Sequence, residues 1–319
     1  MLDNSRNEPE IVGIGACVMD TLITIPEYPK EDTKLRAHSS EAVGGGPTAT
    51  GLIAASKLGI RAGFIGVLAE DNGGQFLVDD FVRYAVNVDH IEKKTGYRSF
   101  TSTIWLAGDK ATRTCVFDKG NLPPLTLDER KKAAVANAKV LMIDGNEMDA
   151  AEEACLVARQ SGTKVLYDCG GLYDGVERLL RLTDVMIPSE EFALGHTGCE
   201  TAEEAAVKLY ERYQPQVVVI TCGKSGGILY DGSKQELWHY PAFPVDAVDT
   251  NGSGDVFHGA YAAGIVKGFD YRKCCIFASA VSAIKCTGVG ARKSVPDYET
   301  VCSFLESRGI QVEERVNTK

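Results

Sequence analysis

Short apolar runs take turns with longer amphipathic stretches along most of the chain, and that alternation limits the possible folds more than any other feature of the sequence. Residues 11–15, 62–67, 140–143, 164–168 and 217–221 read as buried strands, and residues 48–58, 74–84, 150–160 and 201–213 read as helices between them. Strands connected by helices run parallel, and the helices cover both faces of the sheet, so an α/β fold with a central, mostly parallel sheet is expected. Two segments break the pattern. Residues 21–37 and 99–117 are rich in β-type residues with no helix between them, and they are expected to form a small antiparallel lid, inserted at about 17–40 and 97–120 into a single domain spanning 1–319. The last third is Ala-rich and helical at 254–267 and 271–286; a turn at 294–296 precedes a final helix at 298–307, and the last dozen residues are expected to be a mobile tail. No repeat, low-complexity tract or linker is present.

Composition narrows the function. A chain of 319 residues with 44% hydrophobic content buries a core of enzyme size. Its formal net charge of -10 argues against a nucleic-acid or anionic-membrane surface, since phosphates are held mainly by Lys and Arg, though a local anion site stays open. The polar, acidic residues 1–10 do not form a signal peptide, and no apolar run has membrane-spanning length, so a cytoplasmic location is expected. The ten cysteines are scattered, with no C-x-x-C pair and no His at zinc-ligand spacing. They fit small hydrophobes in a reduced protein, with a redox-sensitive thiol or an unrecognised metal site as the alternatives.

Two nucleotide-binding patterns fail on inspection. Gly13-Ile14-Gly15-Ala16-Cys17-Val18 starts like a dinucleotide fingerprint, but Val18 stands where the third glycine belongs and no helix-like stretch follows. Gly223-Lys224-Ser225 has the tail of a P-loop without its first glycine. A stronger signal is Asp249-Thr250-Asn251-Gly252-Ser253-Gly254-Asp255, which opens a small-residue helix. Glycines before a helix let free N–H groups converge at its positive end, forming an anion hole. Asp255 in the mouth of that hole can cap the helix or accept the proton of an attacking hydroxyl, and the local sequence leaves both open. A second cluster, Val43-Gly44-Gly45-Gly46-Pro47-Thr48-Ala49-Thr50, is either a flexible helix entry or a place where backbone approaches a polyhydroxylated ligand.

Together these motifs carry a resemblance. Residues 44–50, with Leu58-Gly59, Phe64-Ile65-Gly66 and Asp71-Asn72-Gly73-Gly74, resemble the first signature of the ribokinase-like (PfkB) sugar kinases. Residues 249–255 resemble the second signature, and residues 277–296 resemble the region after it. The resemblance runs from about residue 11 to about 305. It implies a ribokinase-like fold with a β lid, and transfer of the γ-phosphate of ATP, with Mg²⁺, to a primary hydroxyl of a small sugar such as a ketohexose. It also implies Asp255 as general base, with Gly252, Ser253 and Gly254 as anion hole. Asp20, Gly44, Gly45 and Gly46 would contact the sugar; Thr221, Gly223, Gly226 and Asn251 would lie along ATP. Asp249, with the 288–291 loop, falls where many members hold a monovalent cation such as K⁺. His258 is read as a packed helix residue, and lid pairing implies a homodimer.

The sequence also departs from the family pattern. Ala49 stands where the first signature often has a substrate-contacting Asn. Ser189-Glu190-Glu191-Phe192 replaces the usual Asn-x-x-Glu, leaving Glu190 or Glu191 as a partial substitute, with Glu190 expected to reach Mg²⁺ through water. Residues 44–50, 255–260 and 285–287 are most similar to the branch containing sulfofructose kinases, and Lys34 falls where that branch holds a sulfonate. Phe117 stands at the expected Asn of that site, however, and residues 144–146 offer no Arg. The alternatives are a nucleoside kinase and a catalytically silent sugar or nucleotide sensor on the same fold.

Overall fold

The computed structural model describes residues 8–107 and 112–312; most of the expected tail, 313–319, lies outside the described residues. Strand β1 (Ile11–Ile14) leads into β2 (Val18–Ile25) and β3 (Ser39–Gly45), followed by α1 (Pro47–Lys57), β4 (Ala62–Ala69), α2 (Asn72–Arg83) and β5 (Asn87–Lys94). Next come β6 (Thr101–Ala107), β7 (Thr112–Asp118), α3 (Glu129–Asn137), β8 (Val140–Ile143), α4 (Met148–Ser161), β9 (Lys164–Cys169), α5 (Val176–Leu180) and β10 (Val185–Pro188). The chain continues through α6 (Glu190–Thr197), α7 (Ala202–Tyr213), β11 (Val217–Thr221), β12 (Gly227–Asp231), β13 (Glu236–Tyr240), α8 (Ser253–Val266), α9 (Tyr271–Cys286) and α10 (Tyr298–Glu306).

The main sheet has the order β13-β12-β11-β10-β9-β8-β1-β4-β5. Alternate side chains of each buried strand enter different cores, as the two-residue period of a strand requires. Ile11 joins the core under α1, α2, α8, α9 and α10. Val12 and Ile14 join the core under α3 to α7. The parallel expectation holds from β5 to β11, but β12 and β13 run antiparallel at the end of the sheet, joined by tight connections too short for a crossover helix. Strands β5 and β10 have no clear signature in the sequence. β5 (NVDHIEKK) is a polar edge, and β10 (VMIP) has four residues and ends in proline.

A second sheet of four strands, in the order β3-β2-β6-β7, forms the lid. Its central pair β2 and β6 is parallel, which corrects the all-antiparallel expectation. The sheet consists of two antiparallel pairs, β2 with β3 and β6 with β7, and the first strand of each pair lies in the middle. Residues 44 and 45 are therefore the end of a lid strand as well as a helix entry. Among the described residues no helix is long and apolar enough to cross a membrane. All ten cysteines are free, and six of them are buried.

Candidate active site

Strand β1 lies between β4 on one side and β8 on the other, so the direction in which strands are added reverses there, and in open parallel sheets such a switch point leaves a crevice beyond the carboxyl ends of the strands. Asp144, just past β8, spans this crevice. Its carboxylate accepts from the N–H groups of Ala16 at 2.8 Å and Thr48 at 3.2 Å, and so joins the exit of β1 to the start of α1. Helices α1 and α8 cross here at Gly51 and Gly259, where a Cβ on Gly259 would overlap the Gly51 carbonyl. This close crossing points the N-termini of both helices, each preceded by a glycine cluster, at the same crevice.

Side chains of Asp71, Asp128, Ser189, Thr201, Asp270 and Asp297 cap α2, α3, α6, α7, α9 and α10. No side chain caps α1 or α8. At α8 the cap position is Gly252 in the left-handed region, φ 71°, so the first-turn N–H groups of Gly254 and Asp255 stay open toward the crevice. Asp255 lies in that first turn. Burial raises its carboxyl above the ordinary carboxylate range; His258 works against this, Asp144 adds to it, and Arg113 and Arg292 work against it. Asp168, at the end of β9, is also raised by burial. His258 is 5% exposed, with Nδ1 2.6 Å from the Gly254 carbonyl and 3.3 Å from the Asp168 carboxylate, and Nε2 2.9 Å from the Ile187 carbonyl. Both ring nitrogens are engaged by the protein itself.

The first glycine cluster is built differently. The Asp20 carboxylate accepts from the Ser102 hydroxyl at 2.6 Å, its register partner on β6. Burial raises its carboxyl; the Ser102 hydrogen bond and the Arg292 charge work against the rise, and the charge of Asp255 adds to it. Arg292 is 5% exposed and fastens the cluster: it donates to Asp80 at 2.7 Å, to the Gly45 carbonyl at 2.6 Å and to the Thr50 hydroxyl at 3.2 Å. A Cβ on Gly44 would overlap the Arg292 guanidinium, and one on Gly45 would overlap the Asp20 carboxylate. Gly46 has φ 97° and lies against the Ala16 carbonyl. Lys34 is exposed between β2 and β3, with no hydrogen bond or ion pair to this cluster among the described residues.

On the other side of the crevice, Thr221 ends β11 and bridges to Ser189. Gly223 is exposed at the start of a 3-10 turn, and Gly226 is buried at φ 86°. Glu190 opens α6 close enough to Cys222 for its charge to add to the rise that burial imposes on that thiol. From the lid, Arg113 donates to the Asn251 side-chain oxygen at 2.5 Å. The Asp249 carboxylate accepts from the N–H groups of Asn251 and Gly290, each at 2.8 Å, while the Lys285 ammonium donates to the Asp249 carbonyl at 2.7 Å. No group of three or more His, Cys, Asp or Glu suited to a metal ion occurs among the described residues.

Contacts thus tie Asp20 and residues 44–45 together through Arg292 and Ser102, Thr221 to Ser189 beside Glu190, and Asp249 and Asn251 to the turn before α8, while Lys34 lies at the lid surface. Sequence reasoning passed over Asp144, Asp168, Arg113 and Arg292 as site residues. Asp144 and Asp168 had a usable signal, since each ends an apolar run at the carboxyl end of a strand. Arg113 and Arg292 had none, because their partners are distant in sequence.

Comparison with known proteins follows the same outline. The family model described as pfkB family carbohydrate kinase matches residues 8–298. The chain is 25% identical to ribokinase from Haemophilus influenzae, over 92% of this chain and 97% of that protein. It is 26% identical to mouse ketohexokinase, over 88% of this chain and 96% of that protein. It is also 25% identical to a bifunctional ribokinase/ribose-5-phosphate isomerase A from Fructilactobacillus sanfranciscensis, over 93% of this chain, but there it spans only 56% of the longer protein. Among solved structures, Arabidopsis thaliana ribokinase complexed with ribose and ATP superposes with a TM-score of 0.84, at 23% identity, covering 94% of this chain and 99% of that one; this similarity concerns the fold.

Proposed function

The chain belongs to the pfkB family of carbohydrate kinases, phosphotransferases acting on a sugar hydroxyl, and from that premise we propose that it moves the γ-phosphate of ATP to a primary hydroxyl of a ketohexose or closely related sugar, with Asp255 as general base. One observation carries the reading: Asp255 lies in the first turn of helix α8, whose cap position is a glycine without a capping side chain, so that the Gly254 and Asp255 N–H groups stay open beside its carboxylate. The 252–254 turn, with the open N–H groups of Gly254 and Asp255, and the positive end of the helix neutralise the transferring phosphoryl group. Asp255 takes the proton of the sugar hydroxyl as it attacks, and a raised pKa makes it a better proton acceptor. Asp20 accepts from other sugar hydroxyls while the backbone of Gly44, Gly45 and Gly46 closes on the ring.

ATP lies along Thr221, Gly223 and Gly226 toward Asn251, and Arg113 closes the lid over the phosphates through Asn251. The donor set fits a Mg²⁺ carried by the nucleotide, with Glu190 reaching it through water, rather than a protein cage of carboxylates. Such an ion would neutralise charge on the phosphates. We further propose a homodimer paired through the lid, since β3 and β7 are its edge strands and β7 exposes Val116 and Phe117. Sedimentation at the mass of one chain would remove that part.

The decisive experiment is ADP release with a panel of neutral ketohexoses, ribose, an anionic ketohexose and nucleosides. Turnover with a neutral ketohexose is expected. Preference for the anionic sugar would move the reading toward a lid cation such as Lys34, preference for a nucleoside would replace it, and no turnover with any of them would favour the sensor.

A further inference from the structure

A lysine without any exposed surface is unusual unless its charge is used, and Lys285 is such a lysine. It occupies the last turn of α9 on the face that also buries Cys274, Ala278 and Val281, where an apolar residue would pack as well. Its ammonium donates to the Asp249 carbonyl at 2.7 Å and lies 3.9 Å from the Asp249 carboxylate. That carboxylate is held on its other sides by the N–H groups of Asn251 and Gly290. The carbonyl of the next α9 residue, Cys286, accepts from the N–H groups of Val248 and Asp249. The end of α9, the 249–252 turn and the 288–291 loop thus converge on one buried ammonium before the start of α8; burial works against its charge, and the Asp249 and Asp255 carboxylates support it.

We propose that the Lys285 ammonium is a tethered monovalent cation for the phosphoryl-transfer site, supplying beside Asp249 a positive charge that a bound alkali ion could otherwise provide. The inference rests on the kinase reading above and makes Lys285 a positioning residue. Its charge holds the Asp249–Asn251 turn in place and adds to the positive potential under the anion hole, without touching substrate. A covalently attached cation cannot be washed out, so the wild-type enzyme works equally well whichever alkali salt is present. Removing the side chain while leaving Asp249 would create a small anionic, carbonyl-lined cavity, which a small cation could enter.

The test compares wild type, Lys285→Ala and Lys285→Met in choline, sodium, potassium and ammonium chloride at equal ionic strength, reading both ADP release and the melting temperature without nucleotide. Wild type is expected to vary less than about twofold in rate among the salts, with no salt-specific melting shift; the alanine variant should lose about tenfold or more in turnover and recover several-fold in potassium or ammonium only. Its melting temperature should rise in those same salts, a readout independent of turnover. Lys285→Met fills the volume without charge, so it should stay folded, turn over slowly and respond to no salt. A wild-type enzyme stimulated several-fold by potassium would overturn the proposal, as would full activity of the methionine variant or a folded alanine variant that no cation rescues. Absence of turnover in wild type with every sugar would instead count against the kinase reading, while the melting shifts would still report on the cation position.

Discussion

The two glycine clusters look alike in the sequence, since each is a run of small residues opening an Ala-rich helix, yet they are built for opposite purposes. At residues 44–46 the missing side chains are filled by other groups: the Arg292 guanidinium, the Asp20 carboxylate and the Ala16 carbonyl occupy the places where Cβ atoms would go. At Gly254 a Cβ would meet nothing within 4 Å. The first cluster uses glycine to let polar groups of the protein close in; in the second, Gly252 takes a left-handed φ with Ala291 against it, and only Gly254 leaves open space beside free backbone N–H groups. Glycine in a sequence reports the lack of a side chain and does not say whether the vacated space is filled.

This contrast predicts that chemistry and stability separate between the clusters. Asp255→Asn should reduce kcat by about 10²–10⁴-fold, the range for loss of a general base, with the melting temperature unchanged or raised because a half-buried, partly desolvated charge is removed. A drop in stability of the same size would mean that Asp255 is a cap. The acid limb of kcat/KM against pH should also lie above the ordinary carboxylate value of about 3.9, because burial raises Asp255 and only its ionised form accepts a proton. The same upward shift favours the folded state below that ordinary value, and this contribution is lost as pH rises through the raised one.

At the first cluster the larger effect is on folding. Arg292→Met leaves the buried Asp80 with only the 3.8 Å ion pair to the exposed Arg83 and should cost about 3 kcal/mol by chemical denaturation, with a raised KM for sugar because the Gly45 carbonyl loses its donor. Unchanged stability would show that the cluster is as loosely held as the second one. Gly45→Ala should then cost about 1–3 kcal/mol through overlap with Asp20, the usual range for overpacking. Gly254→Ala, in open space within α8, should stay within about 1 kcal/mol and lean toward greater stability, while turnover falls. Equal stability losses for the two glycine variants would break the contrast. The smallest effect is expected at the exposed lid: Arg113→Ala removes a contact worth about 0.2–1 kcal/mol and should raise the KM for ATP modestly with no change in melting.

Much of the fold was legible in the sequence because its signals are local. Apolar runs such as residues 217–221 and the Ala-rich stretch at 271–286 match β11 and α9 residue for residue. β5 was hidden by its polar edge character, and β10 by its four residues and final proline. The direction of β12 and the parallel pairing of β2 with β6 were not legible, because pairing direction is a relation between segments. In the site, the motif residues around Asp255 and Gly44 were legible, whereas Arg292, 212 residues from its Asp80 partner, was not.

The sequence by itself determined the layered α/β architecture, the two glycine-opened helices and, through its family signatures, the class of reaction, because periodicity and short motifs act over a few residues. Only the tertiary structure decided which glycines make room for protein groups and which for a ligand, that α1 and α8 cross closely enough to aim at one crevice, and that Lys285 places its charge beside Asp249. These depend on distances between segments far apart in the chain, and such distances are set only when the sheet, its helices and the lid pack together.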